Sequence, residues 1–362
     1  MNIQKNIQLK PLNTMATSAV ATWFTVIQDD SELLAALDFC REEKCDYLVL
    51  GEGSNSVFIS DLDVLVIANR IGGAGQIQNL FQSTAIRVVH ESSDEVDLCI
   101  GAGVNWHQFV SESVKKGYFG VEKLALIPGM VGAAPIQNIG AYGSEVKDVL
   151  LSVRAFDTLK ECFVELSNDE CHFSYRDSIF KQQTDRFIVT HVTLRLNKRF
   201  EEIALQEMYP ALQKPLSGCQ KITPRDVFNA VCHVRQSKLP APKDMPNSGS
   251  FFKNPIVSQQ LTADLLKRFP EMVNYPAGKN VKLAAGWLIQ HLGLKGVSAD
   301  SGVGCYNKQA LVVVNPSCAN GQTVLKFAQY IQKKVFDSFG VKLEIEPRLY
   351  SSKKQRLQCH SD

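Results

Sequence analysis

Two segments of small residues could bring backbone amides close to a bound anion. GEGSN at 51–55 follows the apolar run Tyr47–Leu50, so its N–H groups could face a phosphate while Ser54 and Asn55 donate from their side chains. A simple tight turn after a strand explains these five residues equally well, and on them alone it is the favoured interpretation. Neither GEGSNS nor GAGVNW at 101–106 has the glycine spacing of a dinucleotide fingerprint, so no Rossmann domain is predicted.

The segment IPGMVGAAPIQNIGAYG at 127–143 is rich in Gly, Ala and Pro and carries no charge. Small residues permit close backbone approach to a flat ligand, and Gln137 and Asn138 could hydrogen-bond its polar edge. A buried irregular loop is the alternative interpretation. The residues leave both open.

Charged groups near two motifs could act on a carboxylate. Arg176 beside Tyr175 offers a planar cation suited to bidentate binding, although a surface pair with Asp177 is the common alternative. Glu344 and Glu346 alternate along a predicted strand at 341–347, where exposed glutamates are the simpler expectation.

Ser250 lies between Gly249 and Phe251 and could donate a proton in an apolar pocket, or simply cap a turn. No histidine neighbours it and no GxSxG motif is present, so a serine hydrolase is not supported. Scattered basic residues of the later chain could neutralise a diphosphate if they converge, and otherwise form a solvated face. These residues are Arg235, Lys238, Lys253, Lys282 and Lys295.

Hydrophobic periodicity predicts the elements that must position these groups. A helix is expected over 31–43 with Ser31 as its cap, another from Trp106 that ends at Gly117, and a third over 323–339 followed by Gly340. Shorter helices are expected over 262–269 and 283–292, strands over 47–50, 64–67, 187–196 and 341–347, and a linker over 239–249.

Composition narrows the class of protein. The 362 residues predict more than one domain, and a net charge of +2 with 21% charged residues argues against a nucleic-acid or membrane-surface binder. No stretch approaches the ~20 apolar residues of a membrane span, and the N-terminus lacks the apolar core of a signal peptide. Ten cysteines without a CxxC pair are expected to be reduced thiols, and no metal site is predicted. We expect a cytoplasmic protein.

Many short motifs in one order resemble the UDP-N-acetylenolpyruvoylglucosamine reductases, flavoenzymes of peptidoglycan precursor synthesis. The resemblance runs from LKPLNT at 9–14 to EIEPRL at 344–349. It is carried by LGEGSN, NRI, ALIPG with VGAAPIQNIGAYG, YRDSIFK, VFNAVCHVR, SKLP, GSFFKNP and VKLAAGWLI, and the GSFFKNP form is similar to the type I branch.

The resemblance implies an α+β fold: an FAD-binding domain of the vanillyl-alcohol-oxidase type made of two subdomains, with an α/β substrate-binding domain. The implied boundaries are 1–70 and 71–238 for the FAD-binding subdomains, 239–340 for the substrate domain, 341–350 for a C-terminal strand that returns to the active site, and 351–362 for a flexible tail. It further implies a monomer that binds a small-molecule substrate, and neither nucleic acid nor membrane.

The resemblance also assigns roles to individual residues. FAD contacts are expected at Gly51, Gly53, Ser54, Asn55, Ile127, Gly129, Ala133, Ala134, Gly140, Arg235 and Arg348. Substrate contacts are expected at Tyr175, Lys238, Asn254, Tyr275, Lys295 and Gln309. The implied reaction passes a hydride from NADPH through FAD to the enolpyruvyl double bond of UDP-N-acetylglucosamine enolpyruvate. Arg176 and Glu346 would stabilise the developing carboxylate charge, and Ser250 would supply the proton.

The chain departs from the family pattern at two places. Ala133 and Ala134 stand where some relatives have serines, and we expect backbone amides to serve FAD there instead. Gln206 occupies the position of a loop tyrosine that closes over the substrate diphosphate, so either Tyr209 replaces it or the clamp is absent. Two other functions stay open: a related FAD oxidoreductase with another substrate, and a nucleotide-sugar binding protein without turnover.

Overall fold

The computed structural model describes residues 1–73, 77–201 and 203–352. The chain forms two compact units, each assembled from separate stretches of sequence. Unit 1 comprises Met1–Lys5, Trp23–Glu52 and Val64–Gln236, and unit 2 comprises Asn6–Thr22, Gly53–Asp63 and the chain from Ser237 onward. The division of 1–238 into two subdomains stays a prediction, and residues 353–362 of the predicted tail lie outside the described residues.

Helices and strands alternate through both units. The helices are α1 Asp30–Glu43, α2 Trp106–Lys116, α3 Ile179–Gln182, α4 Pro210–Leu216, α5 Pro224–Lys238, α6 Gln259–Arg268, α7 Ala285–His291 and α8 Gly321–Phe339. The strands up to residue 200 are β1 Gln4–Gln8, β2 Val20–Ile27, β3 Asp46–Leu50, β4 Ser56–Phe58, β5 Leu62–Asn69, β6 Ile86–Glu91, β7 Glu95–Gly101, β8 Gly140–Ala141, β9 Ser144–Glu145, β10 Leu150–Asp157, β11 Cys162–Ser167 and β12 Phe187–Asn197. The later strands are β13 Asn247–Ser250, β14 Ile256–Val257, β15 Asn274–Ala277, β16 Asn280–Leu283, β17 Gly304–Cys305, β18 Val312–Val314 and β19 Arg348–Tyr350.

Unit 1 is built on an antiparallel five-stranded sheet of order β11-β10-β12-β7-β6. Trp106 of α2 is buried in its main core, and the indole N–H donates to the Leu124 carbonyl at 2.9 Å. A second core packs α1 against β5, which pairs in parallel with β3. A further sheet has the order β1-β2-β5-β3, and the unit boundaries fall within β1, β2 and β5.

Unit 2 packs α7 and α8 around the buried rings of Phe251 and Phe252. Its two small sheets have the orders β13-β18-β17 and β14-β16-β15, and β19 pairs in parallel with β4. Early chain segments belong to the same unit: the Asn315 amide donates to the Met15 carbonyl at 3.0 Å. Within the described part of the chain, no helix is both long and apolar enough to cross a membrane.

Most predicted elements are confirmed, but two details are wrong. The α1 cap is Asp29, whose carboxylate accepts from the Glu32 amide at 2.9 Å, while the Ser31 hydroxyl donates to that carboxylate at 2.6 Å. The segment 341–347 is not a strand: it makes one isolated bridge, Phe252 to Ile345, and the strand is Arg348–Tyr350. Pro347 has no N–H to give to a ladder, so regular pairing begins after it.

The cap of α8 provides a test of unit 2. The Asn320 side chain accepts from the Thr323 amide at 2.9 Å. Asn320→Ala should lower the free energy of unfolding by ~1 kcal/mol in urea titrations, because a first-turn N–H loses its acceptor. Asn320→Ser keeps an acceptor and should stay near wild type. Equal losses for the two variants would contradict the cap.

Candidate active site

In unit 1 the Arg176 side chain is fixed against the small-residue segment 127–143. One guanidinium nitrogen donates to the Gly140 carbonyl at 2.9 Å, and the other terminal nitrogen lies 3.5 Å from the Asn138 carbonyl. The guanidinium carbon also lies 5.6 Å from the centre of the Tyr175 ring, within cation–π range. The structure thus brings together Arg176, Tyr175 and Gly140, three of the predicted site residues.

Arg235 on α5 lies close to Tyr142 at the end of the same segment, so that the two side chains interact electrostatically. Burial raises the pKa of the Tyr142 phenol, so the phenol is neutral near pH 7. Burial also lowers the pKa of the Arg235 guanidinium, and the neighbouring charge of Arg176 acts in the same direction. The Nε atom of Arg235 is buried, and no group in the described part of the chain hydrogen-bonds it. A buried cationic donor of this kind is suited to a ligand acceptor.

A hydrogen bond joins the end of β3 to segment 127–143. The Glu52 carboxylate accepts from the Gly129 amide at 2.6 Å, and Arg70 donates to the Gly51 carbonyl at 3.1 Å. A Cβ on Gly51 would lie 3.6 Å from the Met130 side chain, which is ordinary contact. Gly51 and Gly129 are therefore held side by side within unit 1.

The amides expected to replace the missing serines are already used. The Ala133 amide donates to the Met130 carbonyl at 3.0 Å, and the Ala134 amide donates to the Val131 carbonyl at 3.1 Å. Both amides close the turn of a 3-10 helix, and the expectation that backbone amides serve FAD at this place stays a prediction. Ala133 is exposed and Ala134 is buried, so the methyl group of Ala133 is accessible for contact with a ligand. Ile127 is half-buried against the core of unit 1.

In unit 2 the turn 53–55 is held from both sides. The Thr14 amide donates to the Gly53 carbonyl at 3.2 Å, and the Thr14 hydroxyl donates to the Ser54 carbonyl at 3.3 Å. On the other side, the Arg348 amide donates to the Asn55 carbonyl at 2.9 Å, and the Asn55 side chain donates to the Glu346 carbonyl at 3.4 Å. The structure thereby brings the turn together with Glu346 and Arg348.

Ser250 belongs to the same cluster of unit 2. It ends β13 and is exposed, and the carbonyl of the next residue, Phe251, accepts from the Glu346 amide at 2.9 Å. The Phe251 amide in turn donates to the Leu311 carbonyl at 2.8 Å. The backbone therefore places the predicted proton donor Ser250 and the half-buried Glu346 on neighbouring segments.

Two predicted substrate residues meet at the beginning of α7. The Asn254 side chain accepts from the Ala285 amide at 3.0 Å, and a Cβ on Gly286 would lie 3.2 Å from the side-chain oxygen of Gln309. Glycine at 286 thus leaves room for Gln309. Asn254 and Gln309 are brought together by this helix.

The remaining predicted substrate residues lie apart from one another in sequence and in secondary structure. Lys238 ends α5, Tyr275 is on β15, and Lys295 follows α7, and all three are exposed. Lys253 forms an ion pair with Glu344, which is exposed. Convergence of the lysines on a diphosphate stays a prediction.

Three residues that the sequence did not single out also make contacts near the candidate site: Glu52, Thr14 and His107. The His107 Nδ1 accepts from the Leu126 amide at 3.1 Å, and its ring stacks on Phe228 with the planes 4° apart. Leu126 has a φ of +56°, so this bond holds a left-handed residue directly before segment 127–143. Thr14 stands in the recognisable LKPLNT motif, whereas nothing local to Glu52 or His107 in the sequence signals their partners.

The chain is similar to flavoproteins along most of its length. Residues 23–159 match the FAD binding domain family. The crystal structure of UDP-N-acetylenolpyruvylglucosamine reductase from Thermus caldophilus has the same fold, with a TM-score of 0.62 at 22% identity over 97% of this chain and 99% of that one. Residues 23–159 thus form an FAD-binding domain, and the whole chain has the α+β fold of that solved reductase.

The family is shown by closer relatives. Residues 241–350 match the C-terminal domain of UDP-N-acetylenolpyruvoylglucosamine reductase. The chain is 41% identical to the reductase of that name from Escherichia coli over 95% of both chains. It is 42% identical to that of Chromobacterium violaceum over 96% of this chain and 98% of the relative. The chain belongs to the UDP-N-acetylenolpyruvoylglucosamine reductase family.

The residues present fit FAD. In each unit a buried arginine nitrogen lacks a partner within the described chain: Nε of Arg235 in unit 1 and Nη2 of Arg348 in unit 2. Such donors suit the oxygen-rich diphosphate and flavin of FAD. Within the described ranges, no group of three His, Cys, Asp or Glu side chains could hold a metal ion.

Gly51 and Gly53 form a matched pair for mutation. Gly53 has a φ of +66°, and a Cβ there would lie 2.1 Å from the Leu12 carbonyl oxygen. Gly53→Ala should cost more than ~2 kcal/mol of apoprotein stability, since left-handed strain adds to the clash. Gly51→Ala has ordinary space, so we expect near-wild-type apoprotein stability with weaker FAD binding. Chemical unfolding and FAD titration measure the two effects, and a stable Gly53→Ala apoprotein would contradict the packing.

Burial, and then the charge of Arg235, lower the pKa of His107 below 6.5. As the pH falls through 6.5, the unfolded chain takes up a proton that folded His107 resists, so stability should decrease. His107→Asn retains an acceptor near Nδ1 but does not titrate, and should therefore lose less stability between pH 7.5 and 5.5 in urea titrations. His191, whose pKa burial also lowers, is present in both proteins. Equal pH dependence would contradict this role for His107.

Proposed function

We propose that this chain reduces UDP-N-acetylglucosamine enolpyruvate to UDP-N-acetylmuramate, with NADPH as hydride donor. Membership of the UDP-N-acetylenolpyruvoylglucosamine reductase family supports the substrate. The observation that carries the chemistry is the pairing in unit 2 of the Phe251 carbonyl with the Glu346 amide, which keeps Ser250 and Glu346 on neighbouring segments.

Several residues would contribute to cofactor binding in this proposal. Arg235 would contribute Nε, Arg348 would contribute Nη2, and the turn 53–55 would face the diphosphate. Gly51 and Gly129 would let the cofactor approach the backbone closely. The Gly129 amide would not bind the cofactor, because it already donates to the Glu52 carboxylate. The chemistry that bound FAD supplies is hydride acceptance from NADPH followed by hydride donation to the enolpyruvyl double bond.

Charge on the enolpyruvyl carboxylate is the main electrostatic demand of the reaction. Arg176 is suited to it because the Gly140 and Asn138 carbonyls orient its planar, charged guanidinium. Glu346 can assist an anion only as a donor, so it would act in its protonated form.

Ser250 would complete the reduction. Hydride addition to one carbon of the double bond leaves carbanion character on the other, and the Ser250 hydroxyl would transfer its proton there. The resulting alkoxide would regain a proton from solvent, to which this exposed residue has access. Hydride and proton together saturate the double bond.

An anaerobic experiment with the flavin-loaded chain tests the function. The flavin is reduced with NADPH, excess NADPH is removed, and UDP-N-acetylglucosamine enolpyruvate is added while the visible flavin band is followed. Rapid reoxidation is expected. A flavin that bleaches with NADPH but stays bleached would indicate a related oxidoreductase with another substrate, and binding of the sugar nucleotide without flavin reduction would indicate a non-catalytic binder.

Ser250→Ala separates the two half-reactions. Reduction of the flavin by NADPH should remain near wild type, since Ser250 has no part in that step. Reoxidation by the sugar nucleotide should fall by orders of magnitude, because the proton donor is absent. Stopped-flow absorbance measures both rates in one preparation, so the first rate controls for folding. An unchanged reoxidation rate would remove Ser250 from this role.

A further inference from the structure

Three buried side-chain polar atoms in residues 1–73, 77–201 and 203–352 have no hydrogen-bond partner: Arg235 Nε, Arg348 Nη2 and Ser248 Oγ. Native proteins leave few such groups unsatisfied, so each requires an explanation. The two arginines are expected FAD contacts. Ser248 has been assigned no role, although it is only 7% exposed.

Ser248 is connected to the turn 53–55 by a short series of hydrogen bonds within unit 2. The amide of its neighbour Asn247 donates to the Thr14 carbonyl at 2.9 Å. Thr14 in turn donates to the Gly53 carbonyl from its amide and to the Ser54 carbonyl from its hydroxyl. The strand that carries Ser248 is thus connected by one residue to the turn that is expected to hold the FAD diphosphate.

The local backbone is held without the Ser248 hydroxyl. The Asn247 side chain donates to the Pro240 and Met245 carbonyls at 3.1 and 2.8 Å, and it accepts from the Gly249 amide at 2.9 Å. Gly249 has a φ of +68°, and the pairing of β13 with β18 shifts register at this point. Because these contacts define the bend, an alanine at 248 would satisfy the fold.

We propose that the Ser248 hydroxyl is a further FAD-binding group that donates to an acceptor oxygen of the cofactor beside the turn 53–55. FAD is favoured over the sugar nucleotide because Ser248 is buried next to the turn, whereas Ser250, two residues later, is exposed. The cost of the unsatisfied hydroxyl in the apoprotein is recovered when the cofactor binds.

Ser248→Ala should weaken FAD binding without destabilising the apoprotein. FAD titration of the apoprotein by flavin fluorescence should show a Kd raised about 3- to 100-fold, the range for loss of a hydrogen bond to a neutral or charged acceptor. The apoprotein should melt at the wild-type temperature or above it, because the buried hydroxyl without a partner is gone. Ser248→Cys, which keeps size and a weak donor, should give an intermediate Kd.

Thr17→Val is the matched control in unit 2. The buried Thr17 hydroxyl accepts from the Phe58 amide at 3.1 Å and donates to the Asn13 side chain at 3.2 Å, so its removal should lower the apoprotein melting temperature. If Ser248→Ala lowers that temperature similarly, the hydroxyl has a protein partner and the proposal is wrong.

A Kd for FAD within twofold of wild type would also overturn the proposal, as would a raised KM for the sugar nucleotide with an unchanged Kd for FAD. The titration uses no sugar nucleotide or NADPH. Failure of the proposed reaction would therefore leave this result intact, and the two proposals can fail separately.

Discussion

A buried hydrogen-bond donor that lacks an acceptor costs free energy, and the arrangement of both units reflects this constraint. Some buried donors are satisfied over long sequence separations, as with the Asn315 amide and the Met15 carbonyl. Among the residues that the structure describes, the exceptions are Arg235 Nε, Arg348 Nη2 and Ser248 Oγ. In the proposals made above, FAD would supply the acceptors that these three atoms lack.

The turn 53–55 illustrates how the chain prepares for a ligand. Its carbonyls accept from Thr14 and from the Arg348 amide, so the turn is fixed by protein donors on two sides. Gly53 allows the Leu12 carbonyl to approach where a side chain would clash. In segment 127–143 the amide of Gly129 donates to the Glu52 carboxylate, and the amides of Ala133 and Ala134 donate to carbonyls of the segment itself. We expect these three positions to contribute to a cofactor site by letting it approach the backbone closely.

The sequence predicted the features that depend on neighbouring residues. Periodicity and glycine stops located α1, α2 and α8, because burial of one face and left-handed C-terminal residues act locally. The prediction of a strand at 341–347 was wrong because the position of a ladder depends on its pairing partner and on Pro347, which has no N–H to donate. The motifs also identified Arg176 and Ser250 as candidates, and the resemblance assigned their roles.

Other features could not be predicted because they are contacts between distant residues. Glu52 and Gly129 are joined across 77 positions, and Asn55 and Glu346 across 291. No local pattern predicts that residues 6–22 and 53–63 pack with the C-terminal unit. The Ala133 and Ala134 amides likewise donate within a 3-10 turn, and two alanines in a sequence do not predict such a turn.

An experimental structure of the chain with FAD bound would test most directly whether these buried atoms serve the cofactor. The account predicts that Arg235 Nε, Arg348 Nη2 and Ser248 Oγ each lie within hydrogen-bonding distance of a cofactor atom. If FAD binds while these atoms remain without acceptors, or turn instead to other protein groups, the claim that the apoprotein keeps buried donors for its cofactor is contradicted.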